Sequence, residues 1–366
     1  MKRIVGVFLL LMAMAVSTSS FADEQGKAAV TADDIKKAIG LSIYLQGGYT
    51  YNLKDPDSGQ NDLRVFDHDA RSFTLDLAEV IFSRDAAKPG DIGYKVKLSA
   101  GEIAKWIHAR GLGNPDSPFD LTEAYIDYNA PIGKGLHIVF GKWVTQMGAE
   151  VIEAASDYNY SRSLLFNYAI PFTHTGLKLS YAFNDQLTGV AAVVNGWDNF
   201  NDNNKAKTFH WEVDYTPVEQ ASIALKFMHG PEQDNNTSNQ RYLFDTVATV
   251  KPLKNLTLQL NYDYAKEQKA VAGADAKWQG IAAIVRYDVN SWFSGAIRAE
   301  WFDDPQGFRT GTPQKVKEIT VTPEFRPKDN LIIRPEYRHD WSDKAVFNSS
   351  KDKHQDTIAL GVMYTW

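Results

Sequence analysis

The chain has 366 residues, no cysteine, and 39 Lys+Arg against 45 Asp+Glu, a formal charge of −6. The acidic balance argues against a nucleic-acid binder, and the missing cysteine excludes a disulfide framework. Aromatic residues make up 12%, including 17 Tyr and 9 Trp, which suits a β-rich protein with a membrane-interface girdle.

Lys2 and Arg3 precede an apolar run from Ile4 to Val16, and Ser20-Phe21-Ala22 forms a small-x-small cleavage site. Residues 1–22 therefore read as a secretory signal, too short and wrongly flanked for a spanning helix. Its removal leaves 37 basic against 45 acidic side chains. Residues 23–40 form a short polar leader. Thr31-Ala32-Asp33-Asp34 resembles a capping box, so a two-turn helix is expected there, in the periplasm or at a pore mouth.

From Leu41 onward the hydrophobic period is two. Sixteen strands are predicted near residues 41–52, 72–84, 92–101, 121–130, 135–144, 174–183, 186–196, 207–216, 220–229, 240–251, 255–265, 277–288, 291–302, 315–326, 329–340 and 355–366. Residues 72–84 and 186–196 alternate poorly, which leaves fourteen or eighteen strands as alternatives. Tight turns are expected at Pro131 to Lys134, Asn184-Asp185, Pro217 to Glu219, Pro252 to Lys254, Val289-Asn290 and Pro327-Lys328. Longer polar segments lie between them, at Leu53 to Arg71, Glu102 to Asp120, Thr145 to Thr173, Asp198 to Ala206 and Asp304 to Pro313. Long connections on alternate hairpins are the mark of an up-and-down outer-membrane barrel, with turns toward the periplasm and loops outside.

The strand faces agree. Leu256, Leu258, Leu260, Tyr262 and Tyr264 alternate with Thr257, Gln259, Asn261 and Asp263. Placing the apolar set in lipid and the polar set in a watery lumen avoids burying unpaired charge, and closure removes the open edge. The final stretch, TIALGVMYTW, reads as a closing strand with Ile358, Leu360 and Val362 toward lipid and Tyr364 and Trp366 at the interface. The fold class is thus all-β: a transmembrane antiparallel up-and-down β-barrel of about 16 strands over residues 41–366.

A terminal aromatic after alternating apolar residues is similar to the assembly signal of outer-membrane barrels. The chain resembles the OmpL-like outer-membrane β-barrel porins through NDLRVFD (61–67), SFTLDLAEV (72–80), TEAYIDYNAPIGKGLHIVFGKWVTQMGAEVIE (122–153), NYSRSLLFNYAIPFTHTGLKLSY (159–181) and RPEYRHDWSD (334–343). The segment 122–181 is the most specific part. The resemblance implies a Gram-negative cell outer membrane, contact with outer-membrane lipid and lipopolysaccharide, a homotrimer, and passage of small hydrophilic solutes or ions. It names no solute.

Two features are candidates for shaping a channel. The connection from Thr145 to Thr173 carries Glu150, Glu153, Asp157 and Arg162 beside the apolar Leu164-Leu165-Phe166. Two readings stay open for it: an inward fold that forms a constriction, by analogy with porins and because long ordered loops are often functional, or a packed extracellular loop. The second is a charged ladder, Arg298, Glu300, Glu324, Arg326, Arg334, Glu336 and Arg338, which alternation aims at the lumen. Two readings of the ladder stay open: cross-strand pairing that stiffens the wall, or an anion or sugar path. The sign of ion selectivity does not follow from either. Eight scattered histidines lack zinc-site spacing, no nucleophile elbow or P-loop is present, and no cofactor, metal or enzymatic activity is expected. The leading function is a passive porin; the competing one is a plugged barrel that presents loops to partners.

Overall fold

The computed structural model describes residues 39–366, so the expected signal and nearly all of the leader lie outside the described residues. Sixteen antiparallel strands close into one barrel. They are β1 (Leu41–Asn52), β2 (Ser72–Arg84), β3 (Ile92–Ala100), β4 (Phe119–Ala130), β5 (Leu136–Val144), β6 (Thr173–Ala182), β7 (Leu187–Val194) and β8 (Thr208–Val218), then β9 (Ala221–Pro231), β10 (Gln240–Leu253), β11 (Leu256–Val271), β12 (Ala274–Asp288), β13 (Phe293–Asp304), β14 (Gln314–Lys328), β15 (Leu331–Ser342) and β16 (His354–Thr365). Each strand pairs with its sequence neighbours, and β16 closes on β1 with Tyr49 opposite Leu360 and Gly48 opposite Gly361. One short helix, α1 (Glu102–Trp106), stands in the β3–β4 connection.

The faces follow the period-two pattern. Leu258, Leu260, Ile358 and Leu360 are about 40–50% exposed on the outside, whereas Asn261 and Asp263 between them are buried inside. With every backbone ladder closed on itself, such a wall suits hydrocarbon.

Three details depart from the sequence pattern, each for a local reason. The turns at Pro217, Pro252 and Pro327 begin two residues later than expected. These prolines sit inside strand ends, and the pairing register shifts beside each: at Tyr215/Val218, Val250/Leu253 and Phe325/Lys328. A proline donates no ladder hydrogen bond, so it is accommodated at an irregularity rather than in the turn itself. β11 and β12 run on to a two-residue turn at Ala272-Gly273 instead of stopping near 265 and 277. In these polar extensions Lys266 of β11 pairs with Asp275 of β12 on the outside (2.7 Å), and Glu267 of β11 with Arg241 of β10 on the inside (2.6 Å). β2 alternates poorly because Asp76 is an extra residue between Leu75, opposite Gly47, and Leu77, opposite Gln46. β7 does so because its inward face is itself apolar, with Val190, Ala192 and Val194 buried. The strand count is nevertheless sixteen.

Candidate functional site

The connection 145–172 between β5 and β6 folds into the barrel. Its neck is closed where the Thr145 amide donates to the Phe172 carbonyl (2.8 Å) and the Thr145 hydroxyl meets His174 Nε2 (3.0 Å). Beyond the neck the chain is irregular apart from a 3-10 turn (Ala154–Ser156) and a π turn (Leu165–Ala169). Irregular backbone inside a barrel must find partners for its amides and carbonyls, and here side chains of the wall supply them.

The carboxylates accept from the loop's amides. Glu336 takes those of Tyr160 (2.7 Å) and Ser161 (3.0 Å), and Glu300 those of Leu164 (3.1 Å) and Leu165 (3.2 Å). The arginines donate to its carbonyls. Arg334 reaches Ala154 (2.5 Å), Asn159 (2.9 Å) and Asp157 (2.5 Å), Arg298 reaches Ser161 (2.7 Å), and Arg338 reaches Arg162 (2.6 Å). Arg334 and Arg298 are neutralised across strands by Glu324 (2.6 Å) and Glu318 (2.9 Å), and Arg338 by Asp340 on its own strand (2.8 Å). Five donors in a planar fork let one arginine hold both a wall carboxylate and loop carbonyls.

The predicted ladder therefore points inward as alternation requires, but Arg298, Glu300, Glu324, Arg334, Glu336 and Arg338 are all buried. Arg326 differs. It pairs with Glu324 (2.8 Å) at the opposite rim from the long connections and lines a cavity of about 320 Å³ with Arg286, Asp288 and Trp292.

Of the loop candidates, Glu150 meets Arg298 (2.6 Å), Glu153 meets Lys97, and Asp157 meets Arg162 within the loop (3.1 Å). Burial would raise the Glu153 carboxyl, but the Lys97 charge outweighs it and holds the group below its usual range. Asp157 is pushed up to about 8: burial raises it and the Glu150 charge adds, against the pull of Arg162. Leu164, Leu165 and Phe166 are buried with Ile152 in an apolar core inside the barrel.

Several residues on this seat were not singled out in the sequence. Tyr160 lies against Gly48 and Gly361, where any Cβ would fall 1.9–2.2 Å from its atoms, and its hydroxyl donates to Asp76 (2.8 Å), the bulge residue of β2. Arg64, from the β1–β2 connection, donates to Asp340 (2.6 Å). Phe66 beside it packs on Phe166 and Phe172 at centroid distances of 5.4 and 5.5 Å. The visible signal was an arginine between apolar residues in NDLRVFD.

The wall from β3 to β9 is different. Its inward cations are lysines. Lys97 holds Glu153 and Glu123, Lys142 donates to the Leu121 and Thr122 carbonyls (both 2.9 Å), and Lys226 donates to the Gly148 carbonyl (3.0 Å); all three are buried. Lys95 and Lys178 stay partly exposed. Lys95 pairs with Glu123 (2.7 Å), and Lys178 touches Gln146 of the loop (3.2 Å) over the Trp143 ring. Tyr125, Asp127, His137 and Asp214 are also half-buried on this wall.

A sealed sixteen-strand barrel, apolar outside, with one connection folded into its lumen, defines an outer-membrane β-barrel channel. The family model for the beta-barrel porin-2, OmpL-like group matches residues 38–366, and the chain belongs to that family of outer-membrane porins. A search of curated proteins finds no match. Among solved structures the fold is similar to an anion-selective porin from Comamonas acidovorans (10% identity, TM-score 0.62, 89% of this chain and 98% of that one). It is also similar to Salmonella typhi OmpF in complex with daunomycin (12%, 0.61, 89% and 97%) and to the outer membrane channel DcaP of Acinetobacter baumannii (12%, 0.57, 89% and 96%). At such identities the likeness is one of fold. The chain is thus a passive-diffusion porin of the outer membrane, and its family and fold are those of a channel rather than an enzyme.

Proposed function

We propose that small hydrophilic solutes and ions cross between the inward connection 145–172 and the β3–β9 wall, and that the β13–β16 wall serves only to hold that connection. One observation carries this reading: Lys95, Asp127, Lys178 and Asp214 keep partial exposure on the β3–β9 side, whereas Arg298, Arg334 and Arg338 opposite are sealed and the partly exposed Arg286 and Arg326 stand at the rim around the β12–β13 turn. Glu150 and Glu153 then shape the constriction from within the loop through Arg298 and Lys97, Arg162 through the loop carbonyls it holds and Asp157 through the hydrogen bond it accepts from the Val151 amide, instead of meeting solute directly. Selectivity is set by a lining of mixed sign.

The test is single-channel recording in planar bilayers. The wild-type barrel conducts steadily. Lys95→Gln with Lys178→Gln moves the reversal potential in a salt gradient toward cation preference, and Asp127→Asn with Asp214→Asn moves it the other way. Absence of current from well-folded barrels would refute the channel. Unchanged reversal potentials in a conducting barrel would refute the path.

For assembly we propose a homotrimer joined through the low side of the barrel. There β3, β5 and β7 have nine, nine and eight residues, against sixteen and fifteen in β11 and β12, and Phe140 and Ile126 are exposed. Cross-linking in native membranes reads the stoichiometry. The taller side is left to outer-membrane lipid and lipopolysaccharide.

A further inference from the structure

The lipid-facing surface is uneven at the end of the barrel that carries the long connections. Over β1, β2, β4, β8, β9 and β10 the exposed outward side chains at that end include Tyr51, Phe73, Phe119, Phe209, Phe227 and Phe244. Over β12 and β14 the outward positions are Lys277, Lys315 and Lys317, all exposed. They continue the faces of Ile281, Ile319 and Val321, which are exposed to hydrocarbon lower down. These ammonium groups therefore sit where an apolar stripe ends.

No neighbouring carboxylate closes an ion pair on their ammonium groups. Among the described residues Lys277, Lys315 and Lys317 make no ion pair within 4 Å. Lys266, directly opposite Lys277, is occupied by Asp275, and Asp303 and Asp343 flank Lys315 without an ion pair to its ammonium, Asp343 accepting instead from the Lys315 backbone amide (2.8 Å). Lys317 stands between Trp301 on β13 and Trp341 on β15. Trp341 is opposite His354 and carries His339 stacked on its ring (5.1 Å), while His339 pairs with Asp356 (2.8 Å). Indole rings and lysines at the rim of an apolar band are interface anchors, since both pair an apolar body with a polar tip. Lysines two residues apart on one strand face lie about 7 Å apart, a spacing that phosphates on one headgroup can meet.

We propose that Lys277, Lys315 and Lys317, framed by Trp301 and Trp341, form an external binding site for the phosphates of an outer-leaflet glycolipid, the lipid A part of lipopolysaccharide. Charge complementarity selects the occupant: unpaired cations face the lipid at the end exposed to the outer leaflet. The inference rests on the outer-membrane reading and deepens its lipid contact.

The experiment uses the full barrel purified in detergent and two probes, diphosphoryl lipid A and the same lipid with its phosphates removed. Binding is followed by native mass spectrometry and by tryptophan emission. The wild type binds the phosphorylated form in preference. Lys277→Gln/Lys315→Gln/Lys317→Gln loses about fivefold in affinity per lysine, on the order of a hundredfold in all. A control, Lys251→Gln/Lys254→Gln/Lys328→Gln, removes the same charge at the opposite rim and binds as wild type. Equal binding of the two probes by the wild type, or equal loss in the two triple variants, overturns the site. Conductance of the same samples keeps the two proposals apart: a lost current with intact lipid preference would count against the path alone.

Discussion

The two walls of this barrel use different cations for different work. The β13–β16 wall presents Arg298, Arg334 and Arg338, each buried, each on a wall carboxylate and on loop carbonyls at once. The β3–β9 wall presents Lys95, Lys97, Lys142, Lys178 and Lys226, of which Lys95 and Lys178 remain partly exposed. A guanidinium is weakly hydrated and has fixed donors, so it can be sealed between partners. An ammonium is strongly hydrated and suits a wetter place. Charge in a pore lining therefore has two uses, and only burial and partners separate them.

The largest effect is expected from breaking the arginine seat. Arg334→Ala removes the donor that ties three loop carbonyls to Glu324, which keeps Arg286 and Arg326 as partners. Truncating one partner of a buried ionic cluster costs about 3–5 kcal/mol. Urea unfolding in detergent or lipid is expected to show that loss, and single-channel records to show a larger, noisier current as the loop loosens. A smaller effect is expected from Gly361→Val. Its Cβ would fall 2.2 Å from the Tyr160 ring, so the ring and the loop must move, at about 1–3 kcal/mol. Gly361→Val with Tyr160→Ala should recover part of that loss, because the two residues occupy one space.

The smallest effect is a pH dependence through Asp157. Its carboxyl is pushed up to about 8 in the folded loop, chiefly by burial. A raised acid favours the folded form when protonated. Its contribution to loop seating is therefore complete below the ordinary carboxylate range near pH 4 and is lost as pH rises through about 8. Current fluctuations should increase between pH 5 and pH 9 in the wild type, and Asp157→Asn should flatten that change.

Most of the barrel was legible in the sequence. Strand positions follow from period-two alternation, and the inward direction of the seven ladder charges follows from it too. The Thr145 to Thr173 connection was visible by its length. What alternation could not supply was distance from water. Arg334 and Lys95 look alike as inward cations, and only the folded loop separates a sealed group from a wet one. Asp76 was hidden for a related reason. A bulge adds one residue without changing composition, and it turns the side chain toward Tyr160. Gly361, in the closing strand, looked like a neutral inward position until the ring above it was located.

The absence of native cysteine makes the central claim directly measurable. Single cysteines at Lys95 and Lys178, on the β3–β9 wall, and at Thr320 and Thr322, buried on β14, can be exposed to a charged, water-soluble thiol reagent during recording. The account predicts rapid modification and reduced current for Lys95→Cys and Lys178→Cys, and no change for Thr320→Cys and Thr322→Cys. Fast modification at Thr320 and Thr322, with silence at Lys95 and Lys178, would place the water on the other wall and contradict it.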